Sequence, residues 1–234
     1  MSSYYDDASL MLLASGGAQK DGKVYSVKPT DGSGDFTFTR GSNLSATRVD
    51  ASQLIEKGRE NLNLHSQDLT NPVYISGGSA GSAVVRTANY GTAPDGTQTA
   101  DRIQISRPNG NTYAELFQRL ETLTGRACVI SFYGKSLSGN ATLRGMYDSG
   151  YLEDITFTTE WQRFEVFIPS ATNSVGFNLL TYFAYPSTSQ SADVLIWGVQ
   201  AELGLVATPY IETGATSAQA GILENTPRFD YSGG

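Results

Sequence analysis

One stretch near the C-terminal end of the chain, Asp193-Val-Leu-Ile-Trp-Gly-Val-Gln-Ala-Glu-Leu-Gly204, decides which fold is predicted. Successive side chains of a β-strand point to opposite faces. Strict alternation sorts the stretch into one set, Val194, Ile196, Gly198 and Gln200, and a second set, Leu195, Trp197, Val199 and Ala201. Both sets are mostly apolar, as in a strand covered on both sides. We therefore predict a central or subunit-facing strand that closes a β-sandwich, with Glu202 at its end and without a partner.

The composition favours many short strands. Of the 234 residues only 17% are charged, and glycine alone accounts for 25. This length allows one or two domains, and large β-sandwiches often reach it as one. The formal net charge of -7 argues against a nucleic-acid partner. We favour one sandwich that follows an N-terminal arm.

The strand signal is densest after residue 60. Nine candidate strands cover residues 61–64, 82–87, 100–106, 113–119, 127–135, 141–147, 162–168, 175–183 and 193–203. Turn-forming residues separate them, and no long amphipathic helix intervenes. Segment 113–120 could also pass for a short helix. The pattern predicts an all-β fold, an antiparallel jelly-roll β-sandwich over residues 61–212.

The ends of the chain differ from this core. Short alternating stretches before residue 60 predict an extended β-arm over residues 1–60, and residues 213–234 are expected to form a linker or tail. Asp6 and Asp7 precede the apolar residues 8–14, which favours one or two helical turns there. The apolar run 10–14 is too short for a signal peptide or a membrane span, so we expect no membrane partner.

Catalytic signals are weak. His65 is the single histidine and Cys128 the single cysteine, so a nucleophile with a histidine base is not indicated. No zinc spacing occurs, and the aspartates of segment 31–35 fit turns better than a calcium loop. Glu153, Asp154 and Glu202 are acidic, but nothing links them into a glycosidase pair. We expect no enzyme, no metal and no cofactor.

Aromatic residues are the more informative class in the second half of the chain. They are Tyr147, Tyr151, Trp161, Tyr182, Phe183, Tyr185 and Trp197. Aromatic rings with polar tips suit wet binding surfaces such as sugar platforms, but they also suit a core or a subunit interface. Tyr147 and Tyr151 flank a turn at Gly150, which favours exposure. Together with Trp161 they are the candidate glycan-binding residues.

Several stretches resemble virion proteins. Segments 25–40 (YSVKPTDGSGDFTFTR), 46–49 and 54–56 resemble the N-terminal region of structural proteins of tailed bacteriophages, including crAss-like gut phages. Segments 61–69, 93–101, 196–204 and 207–211 are similar to landmarks of the carbohydrate-binding-module-like sandwich of phage fibre proteins. Segment 226–234 resembles a linker that leads into a further domain in longer relatives. No fixed set of sugar-binding residues carries over from the resemblance.

The resemblance implies a structural component of a phage virion. It implies a head fibre or capsid-decorating protein whose arm, residues 1–60, is anchored on other virion proteins, and a homotrimer is the expected state. Such a protein is made in the host cytoplasm and is released by lysis. The alternative is a tail-associated receptor-binding protein that holds host surface glycans through Tyr147, Tyr151 or Trp161. A third and less favoured hypothesis is an enzyme such as a depolymerase.

Overall fold

The computed structural model describes residues 4–12, 19–20, 23–37, 47–49, 55–108, 110, 112–120, 123–147, 151–169, 177–182, 184 and 186–220. The chain divides into two compact units, one of Met1–Arg59 with Gln219–Gly234 and one of Glu60–Ala218. Among the described residues no helix is long and apolar enough to cross a membrane. The roles predicted for the arm and the linker stay predictions.

The elements described before residue 58 are very short. They are α1 (Tyr4–Asp7), β1 (Met11–Leu12), β2 (Gln19–Lys20), β3 (Lys23–Val24), β4 (Ser26–Lys28), β5 (Phe36–Thr37), β6 (Thr47–Val49) and β7 (Ile55–Lys57). The single helical turn ends at Asp7, and the predicted helix over residues 8–14 is wrong because Met11 and Leu12 pair with β4 as a strand. Pairing with a neighbouring strand has overridden a weak helical signal.

Twelve further strands follow in the described part of the chain. They are β8 (Arg59–Asn61), β9 (Ile75–Gly78), β10 (Ala83–Gly91), β11 (Ala100–Ser106), β12 (Tyr113–Phe117), β13 (Cys128–Ser136), β14 (Ala141–Tyr147), β15 (Tyr151–Phe157), β16 (Gln162–Ile168), β17 (Asn178–Tyr182), β18 (Ser191–Leu203) and β19 (Ala218–Ala220). Segment 113–117 is a strand, which settles the helix alternative.

Ten of these strands form two five-stranded sheets. Sheet I has the order β10-β11-β18-β13-β16, and sheet II has the order β15-β14-β17-β12-β9. Neighbouring strands run antiparallel in both sheets. The predicted all-β jelly-roll sandwich is confirmed. The stretch from Asp193 lies in β18, the middle strand of sheet I, so its prediction as a central strand is also confirmed.

The core lies between the two sheets. Phe132 of sheet I is fully buried, with its ring centroid 5.2 Å from Phe177 and 6.4 Å from Phe157 of sheet II. Leu116 and Leu143 of sheet II are also fully buried in this cluster. Burying a side chain of this size contributes about 1.5 to 3 kcal/mol, so this shared layer holds the sandwich together.

A β-bulge at Gly198 corrects the predicted faces of the closing strand. Val194 and Ile196 point into the core, but beyond Gly198 the core residues are Val199 and Ala201. Gly198 has φ 65°, and the pairing of β13 with β18 shifts register at this point. An extra residue in a bulge inverts the alternation, because side chains repeat every two residues. The polar residues after the bulge therefore share the outer face with Leu195 and Trp197.

Candidate functional site

The outer face of sheet II carries the strongest candidate site. Ala114 and Leu116 of β12 and Leu179 of β17 point into the core. The alternating residues therefore point outward. Strand pairing sets Tyr113 opposite Tyr182, Glu115 opposite Leu180, and Phe117 opposite Asn178. We call Tyr113, Glu115, Leu180 and Tyr182 the tyrosine platform.

The platform surrounds a shallow cavity of about 290 Å³ that these four residues line. The rings of Tyr113 and Tyr182 meet edge to face, with centroids 6.2 Å apart and planes at 86°. Tyr113 is 36% exposed, whereas Leu180 is buried. The cavity thus has aromatic walls, an apolar floor and a carboxylate, at the small end of ligand-pocket sizes. One ring-sized polar molecule suits such a space.

Glu115 is held in place by its neighbours on β9 and β17. A Cβ at Gly77 would lie 2.8 Å from Glu115 Oε1, so the absence of a side chain there leaves room for the carboxylate. Asn178 Nδ2 donates to Glu115 Oε2 at 3.4 Å. Asn178 Oδ1 is buried and has no hydrogen-bond partner within the described part of the chain. Of these groups Glu115 lines the cavity, so its carboxylate is the acceptor that the site offers to an incoming hydroxyl group.

A charge pair continues the same face on β14 and β15. Arg144 lies next to Leu180 in the sheet, and its Nε donates to Asp154 Oδ1 at 2.7 Å. Thr142 and Thr156 lie across the same two strands, with hydroxyl oxygens 3.0 Å apart. The outer face of sheet II is therefore polar beside the platform.

The predicted glycan-binding residues lie in different parts of the sandwich. Tyr147 and Tyr151 pair across the hairpin of β14 and β15, in the same sheet as the platform. The structure describes the backbone of these two tyrosines but not their side chains. Trp161 follows the other end of β15, and at about 3.3 Å per residue the two ends of this strand, Tyr151 and Phe157, are about 20 Å apart. Trp161 and the tyrosine pair do not form one continuous site, and their glycan contacts stay a prediction.

Trp161 borders an aromatic cluster on the outer face of sheet I. Its Nε1 donates to Thr92 O at 3.3 Å, and Lys135 Nζ lies 5.3 Å from the ring centroid. Trp197 in the same region is only 5% exposed and lies 4.6 Å from Tyr210, measured between ring centroids. The cluster is mostly buried, which agrees with the interpretation of these aromatic residues as packing residues.

Gln200 and Glu202 of the closing strand also have structural partners. Glu202 is nearly buried, and its Oε2 accepts hydrogen bonds from Gln200 Nε2 at 2.7 Å and Thr208 N at 2.9 Å. Gln200 Oε1 accepts from Ile211 N at 2.7 Å. The expectation that Glu202 lacks a partner is wrong. The two side chains fasten segment 208–211 over the outer face of sheet I.

His65 and Cys128 do not form a reactive pair. Cys128 is fully buried, and burial raises the pKa of its thiol to about 11, which disfavours the nucleophilic thiolate. His65 lies in the loop after β8 at φ 51°, where its backbone N–H donates to Gly214 O. No group of three or more His, Cys, Asp or Glu that could hold a metal occurs within the described ranges.

Turn hydrogen bonds engage the aspartates that a calcium loop would need. Asp31 Oδ1 accepts from the hydroxyl of Ser33 at 2.7 Å and from its N–H at 2.9 Å, which lowers the pKa of Asp31. Asp35 accepts from Ser26 N at 2.7 Å and pairs with Lys23 at 3.1 Å, and its pKa is also lowered. Both carboxylates act as turn residues here.

Comparisons with known proteins give structural similarities alone. No family model matches the chain, and no curated protein matches it. A family 11 carbohydrate-binding module from Clostridium thermocellum, in complex with a β-1,3-1,4-mixed-linked tetrasaccharide, is similar at TM-score 0.43 and 12% identity, over 64% of this chain and 98% of that one.

Two further solved structures are similar. The CBM22-1 xylan-binding domain of Paenibacillus barcinonensis Xyn10C has TM-score 0.36 and 15% identity, over 70% of this chain and 100% of that one. The enzymatically active domain of tailspike protein 4 of bacteriophage CBA120 has TM-score 0.39 and 14% identity, over 62% of this chain and 21% of that one. At such low identities and TM-scores, no ligand or activity passes from these proteins to this chain.

Proposed function

We propose that this protein binds a glycan on the tyrosine platform. The observation that carries the proposal is the cavity of about 290 Å³ that Tyr113, Tyr182, Leu180 and Glu115 line together. A sugar ring has an apolar C–H face that packs on aromatic rings, and hydroxyl groups that donate to carboxylates. These two kinds of contact meet in this cavity.

The electrostatics favour a neutral glycan. Glu115 would repel a carboxylate or sulfate group placed in the cavity, and Arg144 already binds Asp154. The whole chain carries a net charge of -7, which also disfavours a polyanionic ligand. A hydroxyl-rich ligand without charge is therefore the best match.

We treat the protein as a binding protein without catalytic activity. Glycosidases use two carboxyl groups on either side of the scissile bond. Among the described strand residues of this face the acidic ones are Glu115 and Asp154, and Asp154 is bound by Arg144 at 2.7 Å. This arrangement leaves Glu115 for hydrogen bonding to a ligand and does not set two carboxyl groups on either side of a bond.

A glycan array followed by calorimetry with the best neutral ligand tests the proposal. Tyr182→Ala and Tyr113→Ala should each raise Kd by about tenfold or more, since loss of one aromatic contact costs about 1 to 2 kcal/mol. Phe167→Ala is the control, because Phe167 is an exposed aromatic residue, 46%, on sheet I. Unchanged binding by both tyrosine variants would refute the platform as the site.

The place of the protein in a virion is a second part of the proposal. The resemblance of segments 25–40, 46–49 and 54–56 to phage structural proteins supports a homotrimeric virion component, made in the host cytoplasm and released by lysis. A head fibre or capsid decoration needs an anchor, and we assign this role to residues 1–59, which form one compact unit together with Gln219–Gly234. A tail-associated receptor-binding protein needs the glycan site.

Immunogold labelling of intact particles distinguishes head from tail, and particles without label would contradict both positions.

A further inference from the structure

A cleft of about 440 Å³ lies on the outer face of sheet I. Ile105 of β11 and Ala192 of β18 point into the core, so their strand neighbours point outward. Two rows of outward residues form its floor: Ala83, Ser106 and Ser191 in one row, and Val85, Gln104 and Asp193 in the next. The turn between β13 and β14, with Ser138 and Asn140, forms a wall. The cleft is separate from the tyrosine platform, which lies on the other sheet.

The charge inside the cleft is compensated. Asp193 is the one charged residue among the described residues that line it. Arg102 donates to both carboxylate oxygens of Asp193, from Nε at 2.8 Å and from Nη2 at 2.6 Å. Such a bidentate pair is among the stronger charge-assisted contacts. A cationic ligand would have to displace Arg102, and an anionic ligand would meet the Asp193 carboxylate.

Six of the eleven other lining residues are polar and suit hydroxyl groups. Side chains of serine, asparagine and glutamine both donate and accept hydrogen bonds, as sugar hydroxyls do. Gln104, Ser106 and Ser191 stand next to one another on β11 and β18. Val85 is 51% exposed at the edge of the same floor and offers an apolar contact for a C–H face. The combination of several two-way polar groups with a small apolar patch matches a neutral sugar residue.

We propose that this cleft is a second carbohydrate-binding site, specific for an uncharged sugar. It goes beyond the function proposed for the platform and holds whether or not the platform binds. Two sites on opposite faces of one sandwich allow a single chain to bind two sugar units at once, which raises the apparent affinity for a branched or clustered glycan.

The test is a titration of the full-length, nitrogen-15-labelled protein followed by NMR. The probes are the methyl glycosides of glucose, galactose, mannose and N-acetylglucosamine, with N-acetylneuraminic acid and glucosamine as charged comparisons. At least one neutral sugar should shift the amide signals of Gln104, Ser106 and Ser191 in a saturable way. The charged sugars should shift these signals more weakly at equal concentration.

Variants on each sheet separate the two sites. Ser191→Phe fills the cleft from an exposed position and should weaken the cleft titration by about tenfold or more, while the shifts at Tyr113 and Leu180 stay unchanged. Gln104→Leu removes a hydrogen-bonding group without filling the cleft and should weaken it in the same direction. Tyr182→Ala should leave the cleft titration intact. Thermal melts show whether each variant is folded.

Each pattern of shifts has one meaning. Shifts confined to the platform would overturn the second site and support the proposed function. Shifts confined to the cleft would support the second site and refute the platform. Preferential binding of a charged sugar in the cleft, or cleft shifts that survive in folded Ser191→Phe and Gln104→Leu, would also overturn the inference.

Discussion

At the scale of single residues, Asp101 is the buried ionisable group that ties two distant segments together. Its side chain is fully buried at the start of β11. Oδ2 accepts from Leu69 N at 2.6 Å, and Oδ1 accepts from Asn89 N at 2.8 Å. Asn89 has φ 52°, in the part of β10 where the pairing with β11 shifts register. Asp101 thus holds the loop after β8 against an irregular strand.

Burial gives this residue a signature in the pH dependence of stability. Desolvation raises the pKa of Asp101 to about 6, although the two N–H donors favour its ionised form. In the unfolded chain the pKa of the same carboxyl group is about 4. Asp101 therefore keeps its proton to a higher pH in the folded protein than in the unfolded chain. Its contribution to stability is present below about pH 4 and is lost as pH rises to about 6.

Asp101→Asn should remove this pH dependence and lower stability. The amide keeps one acceptor oxygen and turns an N–H donor toward the second backbone N–H, which costs about 1 to 3 kcal/mol. Urea unfolding between pH 4 and pH 7 measures both proteins. The wild-type advantage should shrink by roughly 2 kcal/mol between pH 4 and pH 6, as expected for a pKa difference of this size. If the free energies of unfolding of the two proteins changed in parallel with pH, Asp101 would not be the source of the pH dependence.

Other carboxylates do not obscure this comparison. The pKa values of Asp31, Asp35 and Asp95 are lowered, mainly by hydrogen bonds from Ser33, Ser26 and Thr97 respectively. Their contribution has the opposite sign, because it is present above about pH 4 and is lost as pH falls. Since these residues are the same in both proteins, their effect cancels in the difference.

At the scale of elements, the bulge in β18 decides which side chains of the closing strand reach the core. Gly198 adopts φ 65°, which side chains with a Cβ rarely adopt. A Cβ there would lie 3.4 Å from the Tyr210 ring, an ordinary contact distance. The need for glycine therefore comes from the backbone conformation more than from crowding.

Gly198→Ala should destabilise the protein by about 1 to 2 kcal/mol, the cost of a left-handed conformation for a residue with a Cβ. Gly214→Ala is the matched control, because Gly214 has no atom within 4 Å of an added Cβ and no positive φ. The control should stay within about 0.5 kcal/mol of wild type. Urea unfolding compares the two, and equal losses would mean that the positive φ is not what matters.

The sequence predicts a strand well where apolar and polar residues alternate regularly. It misses a strand that forms only because a neighbouring strand pairs with it. Segments 100–106, 141–147 and 162–168 match their strands at both ends. β9 contains two glycines, and β15 contains Glu153 and Asp154, so both lack the local preference for strand and were not predicted. Strict alternation also misplaced the residues after Gly198, because a bulge leaves no reliable trace in a single sequence.

The candidate site was predictable in chemistry more than in position. The abundance of aromatic residues indicates a sugar platform, and Tyr182 belongs to the aromatic set recognised in the sequence. Tyr113 meets Tyr182 only through the register of β12 with β17, which distant core contacts determine. Glu115 gains its setting from Gly77 on a strand that the sequence did not predict.

At the scale of the whole molecule, the hydrophobic core belongs to one unit. The main cluster of buried residues extends from Leu69 to Ala201, all within Glu60–Ala218. The partly buried residues packed against it, such as Leu62 and Leu203, lie in the same range. A segment of this size with a core of its own is large enough to fold independently.

A fragment of residues 59–220 should therefore fold without the rest of the chain and keep its glycan binding. We expect a cooperative thermal transition within a few degrees of the full-length protein, because a change of about 1 kcal/mol shifts Tm by about 2 to 4 °C at this size. Calorimetry on the glycan found for the full chain should give the same Kd. Leu116→Ala in the fragment is the control, since loss of a fully buried leucine costs about 2 to 5 kcal/mol and should lower Tm strongly. A fragment that unfolds without cooperativity would show that the sandwich depends on the first unit for its stability.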